Sequence, residues 1–560
     1  MSNHALLAVF LGFLATAPRV HATDPTERLS KWAEIQPSSG IDFVHTDGGN
    51  GNYFIVESMT VGLATFDYDD DGLVDLYLLN GSPLPGTPVP YAPPTNRLYK
   101  NLGGNRFADV TAEAGVGDTG YSLGVVAADY DNDGDTDLYV SNFGANRFFL
   151  NNGDGTFTDG TAWTGTDAGD RFGAGVVFAD FDGDGNLDLF AGNYVKFRCE
   201  QNIVRIIKGY RFHPGPADYP ADTDLLLIND GEGHFRDATE ESGIGAIAAA
   251  TMGAIATDVD NDADLDLVVA VDSDANLLWI NDGGVFHEEG LLSGLAFDGS
   301  GRANGNMGID AGDVDGDGWI DLITTTFQDE MPVLYRNLGN GLFEDATKLS
   351  RLDSWLHPHV SWGCVLSDFD LDGDLDLFIA CGHFMDNIQH IDDRTSVKVA
   401  NLLMENRGGR FHTVIPDEDG NGLAEIRSSR GVACEDLDGD GDPDLVINNH
   451  NDELSLLRND QTTAHAWLRI RLVGTMSNRG GVGARVAVEH AQHRQWAEVY
   501  AGRGYQSHYG GEGLTFGLGR APQSPLQIDV RWPNGTSESW RIDGANREVV
   551  LIEGRGIHGR

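Results

Sequence analysis

Short apolar runs of strand length, broken by polar turns, recur along this chain. Gly124-Val125-Val126-Ala127-Ala128 precedes an acidic loop, and Leu138-Tyr139-Val140 follows it. Arg147-Phe148-Phe149-Leu150-Asn151-Asn152-Gly153 reads as a third strand entering a turn, because Asn and Gly tolerate positive φ. A fourth strand starts at Phe157. Four antiparallel strands repeated about every 50 to 80 residues describe a propeller blade. A linear solenoid is the rival reading, but these units are longer than most solenoid repeats.

The ends of the chain point to a closed ring. Fourth strands follow the first six loops at Phe107, Phe157, Phe235, Phe286, Phe343 and Phe411. The seventh unit has a third strand, Leu454 to Asn459, but no fourth. At the other end, Lys31-Trp32-Ala33-Glu34-Ile35 with Ser39-Gly40-Ile41 reads like Phe107-Ala108-Asp109-Val110-Thr111 with Ala114-Gly115-Val116. The N-terminal strand is therefore predicted to complete the last blade, hiding sheet edges that would otherwise invite aggregation. The expected architecture is all-β: a seven-bladed propeller over residues 23–460, then a small β-sandwich over 461–560. Trp467 to Leu472 and Leu526 to Trp532 supply the alternating strands of the second domain.

Each unit carries one acidic loop of the pattern Asp-x-Asp-x-Asp-Gly-x-x-Asp. The loops are Asp67, Asp69, Asp71 and Asp75; Asp129, Asp131, Asp133 and Asp137; Asp180, Asp182, Asp184 and Asp188; Asp258, Asp260, Asp262 and Asp266; Asp313, Asp315, Asp317 and Asp321; Asp368, Asp370, Asp372 and Asp376; and Asp436, Asp438, Asp440 and Asp444. Carboxylates at positions 1, 3 and 5 converge when the chain turns tightly, and position 9 closes the shell. Calcium, a hard cation, takes such oxygens, so up to seven Ca²⁺ ions are expected. An EF-hand is excluded, because its loop runs 12 residues between helices. In the fourth loop Ala263 replaces the glycine of position 6 and must adopt its bend.

Composition agrees with bound cations. The formal net charge is −50, from 87 Asp and Glu against 37 Lys and Arg, yet 41% of residues are hydrophobic, which fits disorder poorly. The same charge argues against nucleic acid and anionic membranes as partners. Residues 1–22 read as an export signal, with the apolar run Ala5 to Ala17 and the cleavage-like Val20-His21-Ala22; a buried N-terminal helix is the alternative. No other run is long enough to span a membrane. A secreted or periplasmic location follows. Of the four cysteines, Cys199, Cys364, Cys381 and Cys434, only Cys364 and Cys381 flank one short loop, and they read equally as a disulfide or as buried thiols.

The repeats resemble FG-GAP/VCBS repeats, the calcium-loop blades of integrin-α-type propellers. The C-terminal segment resembles an ASPIC/UnbV domain through Asn478-Arg479-Gly480-Gly481-Val482-Gly483-Ala484, Gly502-Arg503-Gly504-Tyr505-Gln506-Ser507, Phe516-Gly517-Leu518-Gly519 and Val530-Arg531-Trp532-Pro533-Asn534-Gly535. Together they resemble the cartilage-acidic-protein-like family. That resemblance implies an extracellular calcium-binding protein of adhesion or matrix interaction; UnbV-type members are also associated with natural-product gene clusters. The insert from Arg198 to Asp224 departs from the family pattern, with His213-Pro214 where a second Cys usually stands.

No nucleophile-elbow, Walker or HExxH pattern is present in the ASPIC/UnbV-like region, and a non-enzymatic protein is expected. The competing reading is an enzyme or biosynthetic accessory protein. Its candidates are His45, Glu57, His357, His359 and His383, with His357-Pro358-His359 as a possible transition-metal pair. Ligand recognition, for an extracellular protein or glycan, is expected on the irregular segments 198–224, 353–361 and 382–393. These bring Tyr210, Phe212, Tyr219, Trp355, Phe384 and, nearby, Trp362.

Overall fold

The computed structural model describes residues 29–88, 93–416, 421–461, 464–490, 493–510 and 513–559. The export-signal segment lies outside them. Among the described residues, no helix is long and apolar enough to cross a membrane.

Before residue 461 the described chain folds into seven sets of four antiparallel strands. The first set runs Leu63–Phe66, Asp75–Leu78, Arg97–Asn101 and Phe107–Asp109. The second and third are linked where Arg171 and Phe172 pair with Gly144 and Phe143. The last comprises Ser429–Glu435, Asp444–Asn449 and Ser455–Asn459, and its fourth strand is Trp32–Glu34, with Trp32 opposite Asn459. Trp32 is buried edge-on against Phe369.

The first strand of each set lies innermost, and these strands touch in a closed cycle, Ser429–Glu435 meeting Leu63–Phe66. Glycine makes this approach possible. A Cβ on Gly62 would strike the Leu123 carbonyl, on Gly124 that of Ala174, and on Gly175 the backbone at Met252 and Gly253. The series continues with Gly253 against Met307, Gly308 against Trp362, Gly363 against Arg430, and Gly431 against Val61. Each of these glycines stands five residues before the first Asp of its loop. Farther out, apolar side chains fill the wedges between neighbouring sheets, as Phe66 and Tyr77 do with Val125 and Leu138.

The chain beyond residue 461 forms two four-stranded sheets. One is built on Ala466–Val473, which pairs antiparallel with Leu514–Gly519 and parallel with Arg547–Ile552. The other is built on Arg485–His490, between His493–Glu498 and Leu526–Arg531. Both bury Leu468, Ile470, Val486, Phe516, Ile528 and Trp532 in a common core.

The segment from Tyr500 to Gly510 leaves this domain and fills the centre of the ring. It bonds to inner strands around the cycle: Phe178 N–H donates to Ala501 O, Val125 N–H to Gln506 O, Thr65 N–H to His508 O, and Gly504 N–H to Ile309 O. Tyr505 Oη reaches Met59 O at 3.0 Å, and Tyr509 Oη donates to the buried Asp310 at 2.5 Å. Arg503 completes the contact with Asp310 at 3.3 Å. All four cysteines are free, so Cys364 and Cys381 are buried thiols on paired strands.

Candidate functional site

The acidic loops connect first and second strands on one face of the ring. In the first, Asp67 accepts from Asp71 N–H at 3.1 Å and from Gly72 N–H at 2.8 Å. The bend at position 6 needs positive φ, 86° at Gly72, and Ala263 takes the same conformation at 89°. Ligand-capable oxygens of Asp67, Asp69 and Asp71 lie within 4.8 Å of one another. Asp129, Asp131 and Asp137 converge likewise, as do Asp180, Asp182 and Asp188; Asp258, Asp260 and Asp262; and Asp313, Asp315 and Asp321. In the sixth loop Asp370 and Asp372 act on the buried Asp368, and in the seventh Asp440, Asp444, Asp436 and Asp438 act on a further carboxylate, Asp442.

These carboxyls are held in an environment hostile to bare negative charge. Burial first, then neighbouring Asp, pushes Asp129 to about 7, Asp313 to about 7 and Asp442 to about 9. A divalent cation of hard character fits this donor set, since it offsets the repulsion that burial magnifies. Four loops already meet a protein cation: Lys100 lies against Asp69 and Asp71, Arg531 against Asp258, Arg336 3.4 Å from Asp315 and Arg479 3.8 Å from Asp129.

The ninth-position aspartate does more than face the loop. Asp75 accepts from Tyr68 N–H at 3.1 Å and from Asn101 N–H at 2.7 Å, tying its loop to the end of the third strand. Burial pushes its carboxyl up to about 8, against the pull of those two donors. The asparagine at that position had been legible only as a turn residue. Its side chain reaches into the neighbouring set: Asn151 Nδ2 donates to Tyr68 O, Asn229 to Tyr130 O, Asn281 to Phe181 O and Asn337 to Val259 O. Asn406 donates to Val314 O, Asn459 to Phe369 O, and Asn101 to Leu437 O. An Asn at the end of every third strand was the available signal.

The C-terminal domain covers the loop face. Arg479 N–H donates to Asn132 in the second loop at 2.7 Å, and Arg485 reaches Asn261 in the fourth loop and Gly318 O in the fifth. Trp467 crowds Gly441, and Trp496 sits against Gly318. Arg469 pairs with Glu435 at 3.1 Å.

The opposite face carries the insert and a second group of polar residues. The hairpin Arg205–Ile207 with Tyr210–Phe212 crosses this face: Tyr210 stacks on His390 at 4.4 Å, Lys208 donates to Ile391 O, and Asn202 donates to Asn52 O. Ile206, 71% exposed, and Tyr210, 38% exposed, present an outer apolar surface. Phe212 and Trp362, by contrast, are core residues, and Trp355 is half-buried against His359 at 4.2 Å, so these do not form an open recognition patch.

Beneath the hairpin, three of the five candidates for chemistry come together. His45, Glu57 and His383 are buried, joined by His213, Arg430 and His450. His213 Nε2 contacts Glu57 Oε2 at 3.2 Å. His383 contacts Gln328 at 3.2 Å, and burial lowers its pKa to about 3. His357 lies outside, exposed beside Asp329 at 3.7 Å, and His359 faces Thr395 at 3.0 Å, so the two do not share a ligand point. Nothing in the sequence marks His213 for chemistry, since it lies inside the departing insert, and Arg430 is a lone arginine in an inner strand with no motif around it.

A ring of repeated sheets with an acidic loop in each, its axis filled from a C-terminal β domain, defines a β-propeller protein of the FG-GAP kind. Residues 67–140, 129–191, 258–324 and 313–379 match the FG-GAP-like repeat family, and residues 474–557 match the ASPIC and UnbV family. The chain belongs to the FG-GAP repeat proteins that carry an ASPIC/UnbV domain. It is similar to cartilage acidic protein 1 of Homo sapiens, 28% identical over 53% of this chain and 41% of that protein, and of Mus musculus, 28% identical over 53% and 42%. The chain thus spans about two-fifths of the length of the curated relatives it matches. Among solved structures, an Agrocybe aegerita lectin specific for non-reducing terminal N-acetylglucosamine overlaps 66% of this chain and 84% of its own, at 18% identity and a TM-score of 0.40. The six-bladed fucose-recognising lectin of Aleuria aurantia overlaps 65% and 97%, at 10% identity and a TM-score of 0.34.

Proposed function

We propose that this protein is an exported, calcium-rigidified, seven-bladed propeller with a C-terminal β-sandwich, acting without catalysis as an extracellular binding or adhesion module for a protein or glycan. The observation that carries this reading is the division of the two faces. The acidic loops face the C-terminal domain, which covers them, so their carboxylates serve the scaffold and its ions. The other face carries the symmetry-breaking insert, with Ile206 and Tyr210 turned outward. Loops on a rigid scaffold commonly carry recognition, and an aromatic commonly anchors it.

The test is a double variant, Ile206→Ser with Tyr210→Ala, assayed at constant calcium against matrix proteins and a glycan array. Loss of a signal given by the parent supports the assignment. Binding equal to the parent's by a folded variant removes it.

A second reading, an enzyme or accessory protein, draws on one observation: the buried His213–Glu57 pair at 3.2 Å is the kind of arrangement that moves a proton. Turnover of a substrate by the parent, lost in His213→Ala, would establish it in place of the first.

A further inference from the structure

Arg430 is fully buried and has no carboxylate partner within ion-pair distance among the described residues. Its Nη1 donates to Ser428 Oγ at 3.1 Å and to Ser429 O at 2.9 Å. Among the described residues, its Nε and Nη2 are buried without an acceptor. The guanidinium lies over the Trp362 ring at 4.1 Å, and burial lowers its pKa to about 9. A buried guanidinium with idle donors costs stability unless something negative meets it.

Among the described residues, the groups around Arg430 are idle in a matching way. His45 Nδ1 accepts from Asn451 N–H at 3.1 Å, so in the neutral ring the proton is on Nε2, and Nε2 is buried without an acceptor. Burial, then His450, keeps that ring neutral. His213 uses Nε2 on Glu57 Oε2, which leaves His213 Nδ1 and Glu57 Oε1 buried without partners. His450 leaves Nδ1 idle, while its Nε2 faces Asp47 at 3.4 Å and Asn451 at 3.1 Å. Arg430 lies near enough to His45, His383 and His450 to act on each electrostatically, and His213 does so on His383 and His450.

These atoms come from the 45–57 segment, the insert, and the inner strand of the last sheet with the turn after its second strand. They lie between two closures. Below is the axial segment, where Tyr505 packs on Trp362 at 5.1 Å. Above is the insert hairpin, pinned to Ile391 and Asn52. Trp362 and Phe384, 6.1 Å apart, form an aromatic wall, with Phe384 5.9 Å from His213.

We propose that this axial chamber binds a small hydroxylated oxyanion, with the oxyanion on Arg430 Nε and Nη2 and His45 Nε2–H, and a hydroxyl shared with Glu57 Oε1 or His213 Nδ1. Carboxylate and phosphate present the same acceptor oxygens to a guanidinium fork. The site goes beyond the surface recognition proposed above, since it uses none of the outward residues of the hairpin.

The test is equilibrium dialysis of the full-length protein in calcium with labelled glycolate, acetate and inorganic phosphate. The expected result is saturable binding of one oxyanion per chain, with phosphate against glycolate deciding the source. Losing a charge-assisted pair in Arg430→Gln should weaken binding by about tenfold or more. Glu57→Gln, which keeps the shape and removes a nearby negative charge, should tighten acetate binding and narrow the preference for glycolate over acetate. Should Arg430→Gln not fold, the Glu57→Gln comparison decides alone. No saturable binding of any of the three by the wild-type protein overturns the proposal, as does unchanged affinity in a folded Arg430→Gln. Acetate and glycolate affinities that do not respond to Glu57→Gln overturn the placement of the hydroxyl.

Discussion

Asn101 Nδ2 donates to the Leu437 carbonyl oxygen at 3.0 Å, joining the first sheet to the last across 336 residues. The same side chain donates to Val74 O at 3.0 Å and accepts from Gly103 N–H at 2.9 Å. It therefore ties together its own hairpin, its own loop and the loop of the neighbour. The seven equivalents form a girdle of buried hydrogen bonds just under the acidic loops, and they transmit the shape of each loop to the next sheet.

Replacing Asn101 by Ala strands two buried carbonyls and an amide. It should cost about 2–4 kcal/mol in urea unfolding. Asn152→Ala, at the exposed turn position beside Asn151, should stay within about 0.5 kcal/mol of the parent. Equal effects of the two variants would refute the girdle.

Tyr509 fastens the axial segment. Its hydroxyl is one of four donors to Asp310, the others being Arg503, Leu366 N–H and Ala311 N–H. Tyr509→Phe should destabilise the protein by about 1–3 kcal/mol, the cost of a lost bond to a buried carboxyl. Asp310→Ala should do more, because Arg503 is left buried and unpaired, and should split a single thermal transition into separate ones for the ring and the C-terminal domain. One sharp transition at the parental temperature would show that the segment carries no load.

His508 gives the axis a pH dependence. Its ring is buried, with Nδ1 accepting from Gly502 N–H at 3.2 Å, and burial, then Arg503, lowers its pKa to about 3. A histidine that binds its proton less tightly in the fold contributes stability that is complete above its unfolded value of 6.5 and is lost as pH falls toward 3. His508→Gln keeps an acceptor without a titrating ring. Between pH 6 and pH 4, the parent's stability should fall faster than the variant's by at most about 1.4 kcal/mol per pH unit. Parallel slopes in urea titrations would exclude His508 as the source.

Calcium should bind the folded ring and stabilise it. Each site held at a hundredfold excess over its dissociation constant contributes about 2.7 kcal/mol. Chelation should lower the melting temperature, and Ca²⁺ should restore it better than Mg²⁺, which demands stricter octahedral shells. The loops of Asp69 and Asp258 should be the last to fill, since Lys100 and Arg531, which lie closer to their carboxylates than Arg336 and Arg479 do in the fifth and second loops, must be displaced first. A melting temperature unchanged after complete metal removal would rule out a structural role for the ions.

The repeating unit was readable from the sequence because its causes are local. An acidic loop is nine residues long, its bend falls at one position, and the strands beside it announce themselves by short apolar runs. The same locality made Trp32–Glu34 recognisable as a fourth strand without a sheet of its own. The glycines from Gly62 to Gly431 were equally visible, but their reason was not: each is small for the sake of a backbone in the next sheet. Gly502 to Ser507 stood out as a motif but not as the filling of the ring's axis, and the covered loop face and the chamber around Arg430 had no local signature at all. His213 meets Glu57 across 156 residues, Asn451 meets His45 across 406, and Tyr505 meets Met59 across 446. Contacts at such separations form only once the ring has closed and fixed both partners, so the sequence determined the parts of this protein, and the closure decided which polar groups would be buried at its centre.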